Sequence, residues 1–100
     1  MDCDLIAPDG EPVVYFIGWH GMDVKIGFTR HLRDRLTELT KRTGCPQRLL
    51  AATPGSFKIE RAYHKRFEAF RKQGEWFNWS PEIEAEIARL SSHLPEASHG

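Results

Sequence analysis

The sequence predicts an α+β fold: a small mixed three-stranded sheet, opening with a β-hairpin and flanked by helices, in the order ββαβαα. Three observations carry that expectation. Two runs rich in β-branched and aromatic residues, VVYFIG (13–18) and VKIGFT (24–29), stand close together with Gly21 between them. Two longer stretches, 31–43 and 57–72, repeat apolar residues at helical spacing. A third strand-like run, RLLAAT (48–53), separates those helices.

Each element has its own local reason. Residues 1–12 (MDCDLIAPDGEP) are polar and broken by Pro8, Gly10 and Pro12, and read as a flexible arm. A hairpin with the three-residue loop Trp19-His20-Gly21 sets Gly18 against Met22, Tyr15 against Lys25 and Val13 against Gly27. Tyr15, Lys25 and Gly27 then share one face, while Val14, Phe16, Val24, Ile26 and Phe28 form an apolar core face on the other. In the first helix Leu32, Leu36 and Leu39 make the inward stripe, Arg35 lies on its edge and Gly44 stops it. Pro54-Gly55 turns the chain and Ser56 caps a helix over 57–72, whose stripe is Ile59, Ala62, Tyr63, Phe67 and Phe70. Glu60 and His64, four residues apart, lie along one edge of that stripe. The aromatic segment GEWFNW (74–79) reads as a lid on the core, with base-stacking platforms as the alternative. Ser80-Pro81 opens a last helix with Ile83, Ile87 and Leu90 inward. Residues 13–93 thus form one domain, followed by a disordered tail at 94–100.

One hundred residues suffice for a single modest core, and 28% charged residues are ordinary for a water-exposed domain. No apolar run is long enough to span a bilayer and the acidic start is unlike a signal peptide, so the expected compartment is cytoplasmic. Cys3 and Cys45 lack C-x-x-C spacing and are read as reduced thiols; with His20 or His31 they fit no common zinc pattern. The net charge of zero conceals segregation: residues 24–72 hold 13 Lys/Arg against 4 Asp/Glu, between acidic ends. Such a block suits a polyanion, but solvated helix faces produce the same count.

The ordered set V-Y-F-I, then V-K-I-G-F-T, then R-x-x-x-L, E-x-x-x-H and G-E-W-F resembles the GIY-YIG nuclease superfamily. KIG in place of YIG is similar to its phage- and fungal-type branch. The likeness covers residues 13–79, with 80–93 as a closing helix, and implies a metal-dependent DNA endonuclease that hydrolyses phosphodiester bonds. It implies one Mg²⁺ or Mn²⁺ held by Glu60, and catalytic roles for Tyr15, Lys25, Arg35, Glu60 and His64. Gly27, Arg30, His31 and Asn78 are the substrate-side candidates. The chemistry suits those residue types: a guanidinium fits two phosphate oxygens, and a sparse carboxylate site suits a hard, hydrated cation. Tyr15 is the expected base or water-orienting group, its phenol needing help from the metal or from Lys25 to act near neutrality; Lys25, its expected cross-strand neighbour, either lowers that phenol's pKa or binds phosphate. Phe28 stands where some relatives carry lysine or histidine and Leu39 where some carry histidine, which leaves the base open. The expected partner is DNA of either strandedness, bound by a monomer or weak dimer, with any further specificity supplied by a partner protein. The alternatives are a catalytically silent DNA-binding module of the same fold and a small protein-interaction domain.

Overall fold

The hairpin at the start of the domain forms as an antiparallel pair, β1 (Val13–Gly18) with β2 (Val24–Thr29). The computed structural model describes residues 10–19, 21–45 and 47–91. Most of the N-terminal arm, His20 at the hairpin tip and the tail at 94–100 lie outside the described residues. Tyr15 faces Gly27, Ile17 faces Lys25 and Val13 faces Thr29. The register therefore differs by two residues from the expected one, because the connection runs from Trp19 to Asp23 rather than through three residues. A two-residue slip preserves which side chains share a face but changes every partner. Tyr15, Lys25 and Gly27 still lie together, yet the direct neighbour of Tyr15 is the glycine and not the lysine.

After α1 (Leu32–Thr43), which ends on Gly44 in the left-handed conformation, β3 (Arg48–Pro54) returns antiparallel to the other edge of β1. Ser56 caps α2 (Phe57–Arg66) by accepting a hydrogen bond from the Lys58 N–H at 3.3 Å. Here the structure departs from the expected helix over 57–72. A 3-10 turn at Glu68–Phe70 ends it, and β4 (Arg71–Gln73) and β5 (Trp76–Phe77) form a short hairpin around Gly74 at φ +58°. The chain closes with α3 (Pro81–Ser91), whose first turn is capped by Ser80 Oγ accepting from the Ile83 N–H at 3.2 Å.

The fold class is α+β, but the sheet has five strands in the order β3-β1-β2-β5-β4, all antiparallel, rather than three in a mixed sheet. Both faces are covered. Val14, Phe16, Val24 and Ile26 pack with Tyr63, Phe67, Phe77, Ile83 and Ile87 from α2, β5 and α3. Val13, Tyr15 and Ile17 pack with Leu32 and Leu39 of α1 on the opposite side. Burial of large apolar side chains on two faces is the main stabilising term. Among the described residues no helix is long and apolar enough to cross a membrane.

One polar knot sits in the α2–α3 contact. Glu86 is 3% exposed and accepts from Tyr63 Oη at 2.6 Å and Arg89 Nε at 3.1 Å, with Arg66 Nη1 at 3.4 Å. The hydrogen bonds from Arg89, joined by those from Tyr63 and the charge of Arg66, hold its carboxyl at about 2, against the opposing effect of burial. A carboxyl acidified by folding stabilises the native state above its unfolded pKa, and that contribution disappears as pH falls from about 4.5 toward 2. Glu86→Gln is therefore expected to lose ~1–3 kcal/mol at pH 7. Urea unfolding should show the difference from wild type shrinking below pH 4, and a constant difference down to pH 2 would contradict this account.

Candidate functional site

Three strand residues and two helices bring polar groups to the outer edge of β2. Strand β5 pairs only with Val24 and Lys25, so past that point no strand covers the edge among the described residues. Ile26 fixes what replaces it. Its N–H donates to the Glu75 carbonyl at 2.9 Å, and its carbonyl accepts from His64 Nε2 at 2.8 Å. Gly27 follows directly and is buried, beyond the last residue of β2 that β5 pairs with.

Tyr15 projects from the centre of β1 with no exposed surface, and Arg35 Nη1 reaches its phenolic oxygen at 3.1 Å from the first turn of α1. Arg35 is half-buried and is steadied by Glu38 at 3.3 Å. Its position on the edge of the leucine stripe is what lets a long cationic side chain enter from the helix side. Burial pushes the Tyr15 hydroxyl up to about 12, Arg35 opposing and the charges of Glu75 and Glu60 adding to the rise. The expected acidification by Lys25 does not occur. Lys25 faces Ile17, and its ammonium is engaged by Glu75 Oε1 at 3.2 Å.

Gly27 makes room for this arrangement. A Cβ there would stand 2.6 Å from Tyr15 Cζ and 2.8 Å from Glu75 Oε1, so the phenol and the carboxylate crowd the same point in space. Glu60, in the first turn of α2, shares a hydrogen bond with Glu75. Burial raises its pKa, helped by that bond and by the Glu75 charge, while His64 and Lys25 pull the other way. His64 spends its Nε2 proton on the Ile26 carbonyl and packs edge-on against Phe77 at 5.1 Å, which makes it a brace between α2 and the sheet.

Tyr15, Lys25, Gly27, Arg35 and Glu60 thus meet around one point, with His64 one turn beyond Glu60. The remaining candidates do not join them. Arg30 is exposed and donates to the Gly10 carbonyl at 2.9 Å. His31 precedes α1 and is exposed. Asn78 is exposed, and among the described residues no hydrogen bond or ion pair links its side chain to Glu60 or Tyr15. The residue that sequence reasoning missed is Glu75, which touches Lys25, Glu60 and the space over Gly27. A signal was present: Gln73-Gly74-Glu75-Trp76 is a two-residue hairpin turn with glycine in its first central position. The helical period that runs on through Phe70 masks it.

A family model described as the T5orf172 domain matches residues 12–92. No curated protein and no solved structure gives a significant match. The matched segment starts just ahead of β1 and ends just past α3, so it takes in every residue of the site, and the chain belongs to the T5orf172 domain family.

Proposed function

We propose that this domain is a metal-dependent DNA endonuclease of the GIY-YIG type, hydrolysing phosphodiester bonds at the open edge of β2. The observation that carries the reading is the meeting of a phenol, a guanidinium, an ammonium and a carboxyl around the bare Cα of Gly27. The donor chemistry fits a hard divalent cation. Glu60 offers carboxylate oxygens close to those of Glu75, and hard oxygen donors of this kind are what such a cation takes. Glu60 would hold Mg²⁺ or Mn²⁺, which, when bound, acidifies water and neutralises charge on the phosphate.

The protein's own groups then divide the remaining work. Arg35 presents two or more N–H groups toward non-bridging phosphate oxygens, which carry most of the charge in the transition state. Tyr15, protonated at neutral pH, orients the attacking water rather than deprotonating it. Lys25 supplies a second cationic contact once its carboxylate partner yields to phosphate. His64 keeps Glu60 at its depth by fixing α2 to Ile26. Mg²⁺ or Mn²⁺ is expected to switch on nicking or cleavage of DNA, and a chelator to abolish it, in a screen of single- and double-stranded substrates across divalent metals. Equal cleavage with chelator present would overturn the metal-dependent reading.

A second reading, a catalytically silent DNA-binding module, is favoured by two particular features. The Tyr15 hydroxyl is driven away from the range of a useful base, and Lys25 is already neutralised by Glu75. Salt-sensitive DNA binding without turnover in any divalent metal would establish it. Under either reading the protein acts as a monomer or weak dimer, with any added specificity coming from a partner protein.

A further inference from the structure

The three aromatics of the GEWFNW segment have separate fates. Phe77 has no exposed surface and belongs to the core, and Trp79 packs against that core. Trp76 does neither: it is half-buried and forms one wall of a surface groove of about 360 Å³, with Asp23, Lys72 and Gln73 as the others. That volume lies within the roughly 300–1,000 Å³ of small-molecule pockets. Lys72 Nζ and Asp23 Oδ2, 2.7 Å apart, form an ion pair that joins β4 to the segment leading into β2.

We propose that this groove is a docking subsite for one unpaired nucleobase of a DNA strand whose backbone lies along the site at Gly27. Lys25 is the link between the two. It pairs with Trp76 in the β2–β5 register, its ammonium lies 5.5 Å from the centre of the indole, and the same ammonium holds the Glu75 carboxylate in the phosphate-binding cluster. In a nucleotide, base and phosphate are separated by one sugar, so a strand with a phosphate at Lys25 carries a base to the neighbouring indole. Every base has a π-face for stacking on Trp76, and the groove's carboxylate, ammonium and amide meet base edges as acceptors and donors without selecting one base. A base stacked and paired inside a duplex cannot enter the groove. The subsite therefore directs the domain to single-stranded, frayed or extruded nucleotides. This inference rests on the nucleic-acid reading given above, but not on turnover.

The test uses the full chain in chelator, with fluorescence anisotropy of a labelled oligothymidylate and of an abasic phosphodeoxyribose strand of equal length. Wild type is expected to prefer the base-bearing strand by roughly 5- to 150-fold, the range of one base–aromatic stack. Trp76→Ala should erase that preference while leaving abasic-strand affinity unchanged, and Trp76→Phe should keep most of it. A preference surviving in Trp76→Ala, an equal loss on both strands, or no preference in wild type overturns the subsite. Metal-dependent cleavage by a wild type without base preference overturns the subsite alone, whereas failure to bind either strand or duplex overturns the nucleic-acid reading with it.

Discussion

Arg35→Ala and Glu60→Ala proteins are each expected to lose at least about 10²–10³-fold in the rate of metal-dependent cleavage, the loss typical of one preorganised transition-state contact. The two losses have different physical origins. Removing Glu60 takes away the carboxylate proposed to bind the cation, so saturating Mg²⁺ or Mn²⁺ should restore little. Removing Arg35 leaves cation binding intact and strips the fork that meets two phosphate oxygens. Arg35→Lys keeps the charge but loses the fork, and should recover only part of the rate. Arg35→Ala also deprives a fully buried phenol of its hydrogen bond, at a stability cost of ~1–3 kcal/mol. Glu60 is half-buried, and its removal relieves the crowding against Glu75, so that variant should melt close to wild type. Single-turnover cleavage measured beside thermal denaturation separates the effects. Undiminished cleavage by both folded variants would remove these residues from the mechanism.

Gly27→Ala is the second large effect, and it strikes folding and chemistry together. The added methyl would meet the Tyr15 ring at 2.6 Å and Glu75 Oε1 at 2.8 Å. Glu75 is a flexible side chain, 37% exposed, and can swing aside. Tyr15 cannot, since Leu32 and Leu39 close over it and Arg35 holds its oxygen. Overpacking of this kind typically costs ~1–3 kcal/mol. The displaced phenol would also leave its place beside Arg35, so cleavage should fall by more than about tenfold even at temperatures where the variant is folded. Full stability together with full cleavage in Gly27→Ala would show that this close approach has no part in either.

The strand residues of the cluster, Tyr15, Lys25 and Gly27, are legible in the sequence because their shared face is. Alternation along VVYFIG and VKIGFT decides which side chains lie together, and that survives a register error of two residues. The register itself was hidden by the turn: five residues from Trp19 to Asp23 connect the strands, and a glycine inside them suggested a tighter loop. A three-residue loop sets Lys25 opposite Tyr15, where Gly27 in fact stands, and without that neighbour burial raises the phenol instead. The stripe through Tyr63, Phe67 and Phe70 continues the helical period past the true end of α2, so the short β4–β5 hairpin went unread. With it went Glu75, whose role depends on a turn and not on any periodicity. Arg35 was legible from helix geometry alone, since an edge position beside two leucines leaves its head group only one buried direction.

The cluster around Gly27 straddles regions of unequal rigidity. Tyr15 stands on β1, bonded along both margins to β2 and β3, whereas Glu75 sits in a hairpin that meets β2 through two residue pairs and the Ile26 N–H to Glu75 carbonyl bond. Opening that flap breaks far fewer bonds than unfolding the domain. Displacing Glu75 alone would remove the counter-anion of Lys25 while leaving the phenol–guanidinium pair in place, since the two halves of the cluster are anchored on different strands.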